Sequence, residues 1–227
     1  MVASLDGKAT VEGKAGAIGS QRDRTLMRSL RAHADAVMIG AGTLRAEKLR
    51  LDVPEGLACA RASRGLKPQP LAVLVTGSGD VPIETNLLGP SPDNLLILTP
   101  TETSEERLAT LSSRSPVIEV VPSVTEDPRL DLTNALHILK ERYATNVLIV
   151  EGGPALNHAL ISLGLADELC LTLAPKLLGG ERTAALTIFE GPAAPQRSPK
   201  PELVSVYLLG SELFLRYFLL PSTIHPA

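Results

Sequence analysis

The sequence predicts an α/β protein: a mainly parallel central sheet with helices on both sides, ending in an antiparallel C-terminal hairpin. Three observations predict it. Strand-like and helix-like stretches alternate through most of the chain. The strand-like stretches, such as Leu71 to Val75 and Leu95 to Leu98, are short unbroken apolar runs, the pattern of strands covered on both faces. Two longer apolar runs, 203–209 and 213–219, are separated by Gly210-Ser211-Glu212 and read as a hairpin closing the sheet edge. No internal repeat or linker stands out, so a single domain over 1–227 is expected.

Taken in order, Met1 to Asp6 reads as the tail of a strand that the chain enters midway, so a few residues are expected upstream. Gly7 to Gly19 is a glycine-rich loop carrying Lys8, Glu12 and Lys14. Ser20 is placed to cap a helix with Asp23 as its N3 acid, and Leu26, Met27, Leu30 and Ala34 give that helix an apolar face. A strand at 36–40 runs into Gly40-Ala41-Gly42-Thr43, followed by a helical turn from Thr43 to Lys48. Pro54 to Pro70 is polar and basic and reads as a surface excursion. The strand Leu71 to Val75 ends in Thr76-Gly77-Ser78-Gly79, and Leu95 to Leu98 ends in Thr99-Pro100. A helix from Glu105 to Leu111 leads to a strand at Val117 to Val121. The helix Asp131 to Tyr143 turns Leu132, Leu136 and Leu139 inward. Val147 to Val150 reads as a buried strand, Pro154 to Leu163 as a helix, and Leu169 to Leu173 as a strand. Pro175 to Gly180 and 190–201 read as loops.

Bulk properties narrow the function. The chain has 227 residues, 44% of them apolar, enough for a substantial core. A net charge of -3 and an aromatic content of 3% argue against nucleic acid as a partner. No apolar run reaches the length of a membrane span, and no secretion signal opens the chain. Cys59 and Cys170 lie far apart and outside metal-ligand spacing, as expected of reduced thiols in a cytoplasmic protein. His33, His137, His158 and His225 do not pair with one another or with cysteine at such spacing either, so no metal is assigned. His158, one helical turn past the Gly152-Gly153 pair, is the histidine best placed to approach a ligand.

In open α/β sheets, ligands sit beyond the carboxyl ends of the parallel strands. Those ends carry Gly40 to Thr43, Thr76 to Ser78, Thr99, and Glu151 to Pro154. Glycines leave backbone N–H groups open to a phosphate, and Pro154 suits the first turn of a helix. Two glycine-bearing strand ends, at Gly40 and at Gly152-Gly153, can grip the two ends of one dinucleotide. The phosphate loop of nucleoside triphosphatases and the Gly-x-Gly-x-x-Gly fingerprint are both missing. A Ser-His-Asp hydrolase has no local support.

Ser4-Leu5-Asp6-Gly7-Lys8, Leu30-Arg31-Ala32-x-Ala34-Asp35-Ala36, Gly40-Ala41-Gly42-Thr43, Glu151-Gly152-Gly153-Pro154-x-Leu156, and Asp167-Glu168-Leu169 with Leu173-Ala174-Pro175-x-Leu177-Leu178-Gly179-Gly180 follow in that order. Together they closely resemble the reductase domain of bacterial riboflavin biosynthesis, a three-layer dihydrofolate-reductase-like fold. The resemblance covers Met1 to about Gly180. It implies an NADPH-dependent reductase that converts the ribosyl group of 5-amino-6-(5-phosphoribosylamino)uracil to ribityl by hydride transfer, and it suggests a homodimer. Gly40, Ala41, Gly42 and Thr43 would line the cofactor. Glu151, Gly152, Gly153, Pro154 and Leu156 would lie at its pyrophosphate, and Thr76, Ser78 and Thr99 at its 2′-phosphate. Asp6 would face nicotinamide and substrate, as first candidate to orient or supply a proton, with Glu47 as second. Lys8, Ser20 and Arg50 are assigned to the substrate side, Lys8 and Arg50 for its 5-phosphate.

The chain departs from the family where relatives read Ala-Asp-Asp-Pro-x-Leu-Thr-Val-Arg; here Ala46-Glu47-Lys48-Leu49-Arg50-Leu51 stands. That departure leaves two other readings open: a reductase of the same fold acting on a pterin or another substrate, and a non-catalytic nucleotide-binding protein. Zinc-dependent deamination is excluded for this chain, which has no His-x-Glu with Pro-Cys-x-x-Cys.

Overall fold

The computed structural model describes residues 1–11, 14, 16–47, 49–81, 94–112, 117–122, 130–179, 185–191 and 199–220. Glu12, Lys48, Gly180, His225 and most of the expected loop at 190–201 lie outside the described residues. In chain order the elements are β1 (Val2–Ser4), α1 (Gln21–Arg31), β2 (Ala36–Gly40), α2 (Ala41–Ala46), α3 (Glu55–Ser63), β3 (Leu71–Val75), β4 (Leu95–Pro100), α4 (Glu105–Ser112), β5 (Val117–Val121), α5 (Leu132–Tyr143), β6 (Leu148–Val150), α6 (Pro154–Ser162), β7 (Glu168–Ala174), β8 (Lys200–Leu209) and β9 (Glu212–Leu220). They fall into two compact units, Thr25–Glu151 and Met1–Arg24 with Gly152–Ala227. None of these helices is long and apolar enough to cross a membrane.

The unit Thr25–Glu151 is built on a five-stranded sheet in the order β5-β4-β3-β2-β6, parallel throughout. Val37 and Ile39 point to one face and Met38 to the other, and all three are fully buried. Ala72, Val73 and Leu74 on β3, and Leu96, Ile97 and Leu98 on β4, behave the same way. Both faces of the central strands are therefore closed, which is why their sequences show no alternation. One face packs into a cluster of Val37, Ile39, Leu44, Leu51, Leu74 and Leu111 with their neighbours. β6, expected to be buried, lies at the sheet edge: its residues are half-buried and Val147 before it is exposed. α5 is capped by Asp131, whose carboxylate accepts the Asn134 N–H at 2.9 Å, and ends on Ala144 in the left-handed region. It buries Leu132, Ala135, Ile138 and Leu139, with Leu136 only half-buried.

The surface excursion expected at Pro54 to Pro70 contains a helix, α3. Its alanines favour helix, while its hydrophobic periodicity is too weak to announce one. The basic residue Arg61, which made the segment look solvated, is only 1% exposed. Its guanidinium donates to the carbonyls of Lys67 (2.9 Å), Ala34 (2.6 Å) and Arg31 (3.3 Å). A buried cation is tolerable when its donors are met by carbonyl oxygens in this way.

In the other unit a four-stranded sheet runs β1-β7-β9-β8. β1 is parallel to β7, with Val2 opposite Thr172, and β9 is antiparallel to both β7 and β8. The expected C-terminal hairpin is present, but it pairs with β7 in this second sheet instead of closing an edge of the parallel one. Gly210, at φ +65°, and Ser211 make its two-residue turn. Glu212 just beyond is buried and accepts the Ser20 hydroxyl at 2.5 Å and the Ser20 N–H at 3.2 Å. The same hydroxyl oxygen accepts the N–H groups of Arg22 and Asp23, so Ser20 caps α1 as expected. The apolar face expected on α1 is a correction: Leu26 is exposed, Met27 and Leu30 are half-buried, and the helix residue that is buried is Asp23. Burial raises the Asp23 carboxyl above its ordinary range, against the hydrogen bond from Thr172.

Arg61→Met should lower unfolding free energy by about 3 kcal/mol, because it leaves buried carbonyls without donors. Urea denaturation checks this; a loss no larger than that of a surface Arg→Met control would contradict the packing described for α3.

Candidate active site

The rim of the Thr25–Glu151 sheet is formed where its strands end. α2 starts directly after β2, with Gly40 as N-cap and no side chain capping the first turn. A Cβ on Gly42 would meet nothing closer than Arg45, 3.8 Å away, and one on Gly77 would meet nothing within 4 Å. Open N–H groups beside glycines with free space suit a phosphate group. Gly40, Ala41, Gly42 and Thr43 form the junction of β2 and α2, with no side chain bonded to its first N–H groups.

The hydroxyls at the next two strand ends face inward. Thr76, buried, accepts the N–H groups of Gly79 (3.0 Å) and Ser78 (3.4 Å). Thr99, fully buried, shares a 2.5 Å hydrogen bond with the hydroxyl of Thr103. Gly79 sits at φ +72°, and a Cβ there would stand 2.6 Å from the Thr103 methyl. Thr76 and Thr99 therefore build the turn, and Ser78, exposed, is the assigned hydroxyl that reaches its surface. Two arginines without a role in the sequence reading hold this turn from outside. Arg107 donates to the Ser78 carbonyl, and Arg45 to the Asp80 carbonyl at 2.6 Å.

Glu151 follows β6, and its N–H donates to the Met38 carbonyl at 2.9 Å. Its carboxylate is occupied by Arg31, whose Nε and Nη2 donate at 2.5 and 2.6 Å. The pair is nearly buried, with side-chain exposures of 12% and 6%. Glu47 ends α2, half-buried, with its N–H donating to the Thr43 carbonyl at 2.9 Å. Arg50 is exposed and pairs with Asp52 through two hydrogen bonds.

In the other unit, Gly152 is at φ +96° and a Cβ there would lie 3.4 Å from Asn157 Nδ2. Both facts favour glycine. Gly153 is the N-cap of α6, again with no capping side chain, and Pro154 takes the first helical position. Leu156 and Asn157 on the first turns are buried, and Asn157 donates to the Ile188 carbonyl at 2.9 Å. The His158 ring stands where a Cβ on Gly191 would be, within 2.3 Å. Asn157 has no role in the sequence reading; a polar residue one helical turn after a Gly-Gly pair was the available signal, and the structure buries its side chain beside that turn.

Asp6 sits in the turn after β1. Oδ1 accepts the Ser4 hydroxyl at 2.6 Å and the Leu178 N–H at 3.1 Å, and Oδ2 accepts the Gly179 N–H at 2.7 Å. These bonds, Ser4 first and then the Gly179 and Leu178 N–H groups, hold its carboxyl down at about 2. A group so acidic stays ionised at neutral pH and fixes the 178–179 backbone. Lys8 donates through Nζ to the Ala185 carbonyl at 3.4 Å. The Ser20 hydroxyl is committed to Glu212 and the α1 cap.

With this geometry in place, the comparisons with known proteins are informative. Residues 1–215 match the RibD C-terminal domain family. A protein of Archaeoglobus fulgidus named 2,5-diamino-6-ribosylamino-4(3H)-pyrimidinone 5′-phosphate reductase is 34% identical over 182 residues, 79% of this chain and 80% of that protein. A protein of the same name from Methanothermobacter thermautotrophicus is 28% identical over 217 residues, 94% of this chain and 93% of its own length. A solved pyrimidine reductase-like protein from Corynebacterium diphtheriae superposes with a TM-score of 0.82 at 28% identity, covering 96% of this chain and 89% of that one.

The Asp6 carboxyl lies below its ordinary value of 3.8 when folded, so its stabilising contribution is present above that value and is lost as pH falls toward about 2. Melting temperatures recorded from neutral pH downward should fall less steeply in this acid window for Asp6→Asn than for the unsubstituted chain. Parallel acid limbs would rule out the clamp.

Proposed function

The chain belongs to the RibD C-terminal domain family, and on that premise we propose that it is an NADPH-dependent reductase of riboflavin biosynthesis, turning the ribosylamino group of a pyrimidine 5′-phosphate into a ribitylamino group. Its fold is the dihydrofolate-reductase-like α/β fold that the sequence motifs implied. The observation that carries the reading is the match of residues 1–215 to the family, supported within the Thr25–Glu151 unit by the open, glycine-bearing strand ends at Gly40 and Gly77. The base of the substrate is the uracil form implied by the sequence motifs or the 2,5-diaminopyrimidinone form for which the two relatives are named.

Bound NADPH would supply the hydride. The acceptor is C1′ of the ring-opened ribosyl group, an imine carbon, and the imine nitrogen takes up one proton as the C1′–H bond forms. Gly40, Ala41, Gly42 and Thr43 at the rim of the parallel sheet would contact the cofactor, and the family resemblance assigns the same role to Gly152, Gly153, Pro154 and Leu156. Ser78 and the Gly77 N–H serve the 2′-phosphate in preference to Thr76 and Thr99, whose hydroxyls are already engaged. Glu47 is assigned to orient the proton donor, since both oxygens of Asp6 are engaged by Ser4 and by the Leu178 and Gly179 N–H groups. Asp6 acts as a positioning residue for Leu178 and Gly179. Lys8 and Arg50 offer positive charge to the 5′-phosphate; Arg50 would exchange Asp52 for it.

The working form is proposed to be a cytoplasmic homodimer. In the single chain Leu203, Val204, Val206, Tyr207, Leu208 and Leu209 of the edge strand β8 are all exposed, an apolar edge that a partner would cover.

The test of the reading is loss of NADPH absorbance with each of the two pyrimidine phosphates and, in parallel, with dihydrofolate. Turnover with dihydrofolate alone would replace the reading with the pterin alternative, and NADPH binding without any turnover would leave a nucleotide-binding protein. Glu47→Gln should lower kcat by about 10²–10⁴-fold while the NADPH Kd moves less than about twofold. An unchanged kcat would remove Glu47 from the proton step. Leu208→Lys should shift the protein from dimer to monomer in sedimentation analysis, and a monomeric unsubstituted chain would end the dimer proposal.

A further inference from the structure

Arg31 is a nearly buried cation that no step above uses. It is the last residue of α1, and all its bonds stay within Thr25–Glu151. Nε and Nη2 grip both oxygens of Glu151, while Nη1 donates to the backbone carbonyls of Arg50 at 2.7 Å and Asp52 at 3.2 Å. One planar fork thus fixes two separate stretches. The first ends at Glu151, immediately before the Gly152-Gly153 turn. The second is the stretch 49–53, two residues on from Glu47, which belongs to no helix or strand and so has no ladder to hold it.

The second stretch is clamped from opposite directions. Leu51, between the two carbonyls that Arg31 holds, is 1% exposed and packs into the sheet's core cluster. Val53 is fixed by Gln69, whose amide bonds both the Val53 N–H (2.8 Å) and its carbonyl (2.9 Å). An ion pair by itself would need only Glu151. The two further bonds to carbonyls make Arg31 a spacer of defined geometry, which a lysine cannot reproduce.

We propose that Arg31 is a positioning residue for the reductase: it sets Glu151, just before the Gly152-Gly153 turn, and the stretch Arg50–Asp52 in fixed register while touching neither cofactor nor substrate. Both cofactor affinity and substrate KM then depend on it. The functional half of this proposal rests on the reductase reading above; the structural half does not.

Two variants of the full chain test it. Arg31→Lys keeps the charge and loses the fork. Arg31→Met with Glu151→Leu replaces the buried pair by apolar groups, an exchange that restores stability relative to Arg31→Met alone. In both variants, amide exchange at Arg50 to Val53 should accelerate by about tenfold or more, because local opening is no longer opposed by the two carbonyl bonds. The NADPH Kd, read from the cofactor's own fluorescence, and the pyrimidine phosphate KM should each rise by about tenfold or more. The double variant should regain melting temperature without regaining either value. Wild-type exchange at Arg50 to Val53 in Arg31→Lys would overturn the proposal. So would wild-type Kd and KM in the double variant, which would show the pair to be structural only. Failure of the unsubstituted chain to bind NADPH or turn over would instead refute the reductase reading, with the exchange data still deciding whether Arg31 sets the register.

Discussion

The closure of both faces of the five-stranded parallel sheet governs where chemistry can sit in Thr25–Glu151. β2, β3 and β4 bury side chains of both parities almost completely, so polar groups have no place along the strands. They gather where the strands stop, at Gly40, Thr76, Thr99 and Glu151. At those ends the backbone leaves the ladder, with the Thr76 and Glu151 N–H groups making last bonds to Leu98 and Met38. The glycines keep that surface open, and the threonines give the turns their shape. The polar rim of the sheet thus follows from the way its faces are covered.

The same closure explains how much of the fold was legible. Unbroken apolar runs marked β2, β3, β4 and β5 within a residue or two, and Ser20 and Asp131 marked the starts of α1 and α5. α3 was missed because its core contribution is a charged residue. Arg61 is buried through hydrogen bonds to carbonyls from distant parts of the chain, and nothing local announces those partners. α1 erred in the opposite direction, since Leu26 lies on a tidy apolar face that the single chain leaves exposed. Periodicity reports which side chains could share a face; burial depends on what arrives to cover them.

The candidate site was legible in its glycines and obscure in its acids. Gly152 takes a φ of +96°, which favours glycine, and Gly40 starts α2 with no capping side chain. A carboxylate has several, and the choice is made by groups far away in sequence. Asp6 meets the Gly179 N–H across a separation of 173 residues, and Glu151 meets Arg31 across 120. Both acids were read as facing a ligand, and both turn out to hold protein backbone or a protein cation. Thr76 and Thr99 follow the same rule on a smaller scale, their hydroxyls spent on Gly79 and Thr103. Motif residues that look like ligand contacts can equally be the supports that give a site its shape.

The pairing of Val2 with Thr172 has a consequence for how the molecule is made. A ribosome delivers the chain from its N-terminus, and β1 emerges before any strand with which it will pair. The stretch Thr25–Glu151 is continuous, so its parallel sheet can form while synthesis continues. The other sheet must wait for β7 before β1 has a neighbour. During that interval the first residues are an unpaired edge, exposed to whatever else is nascent nearby. The parallel sheet can therefore form before the other, whose strands flank Thr25–Glu151 on both sides in sequence.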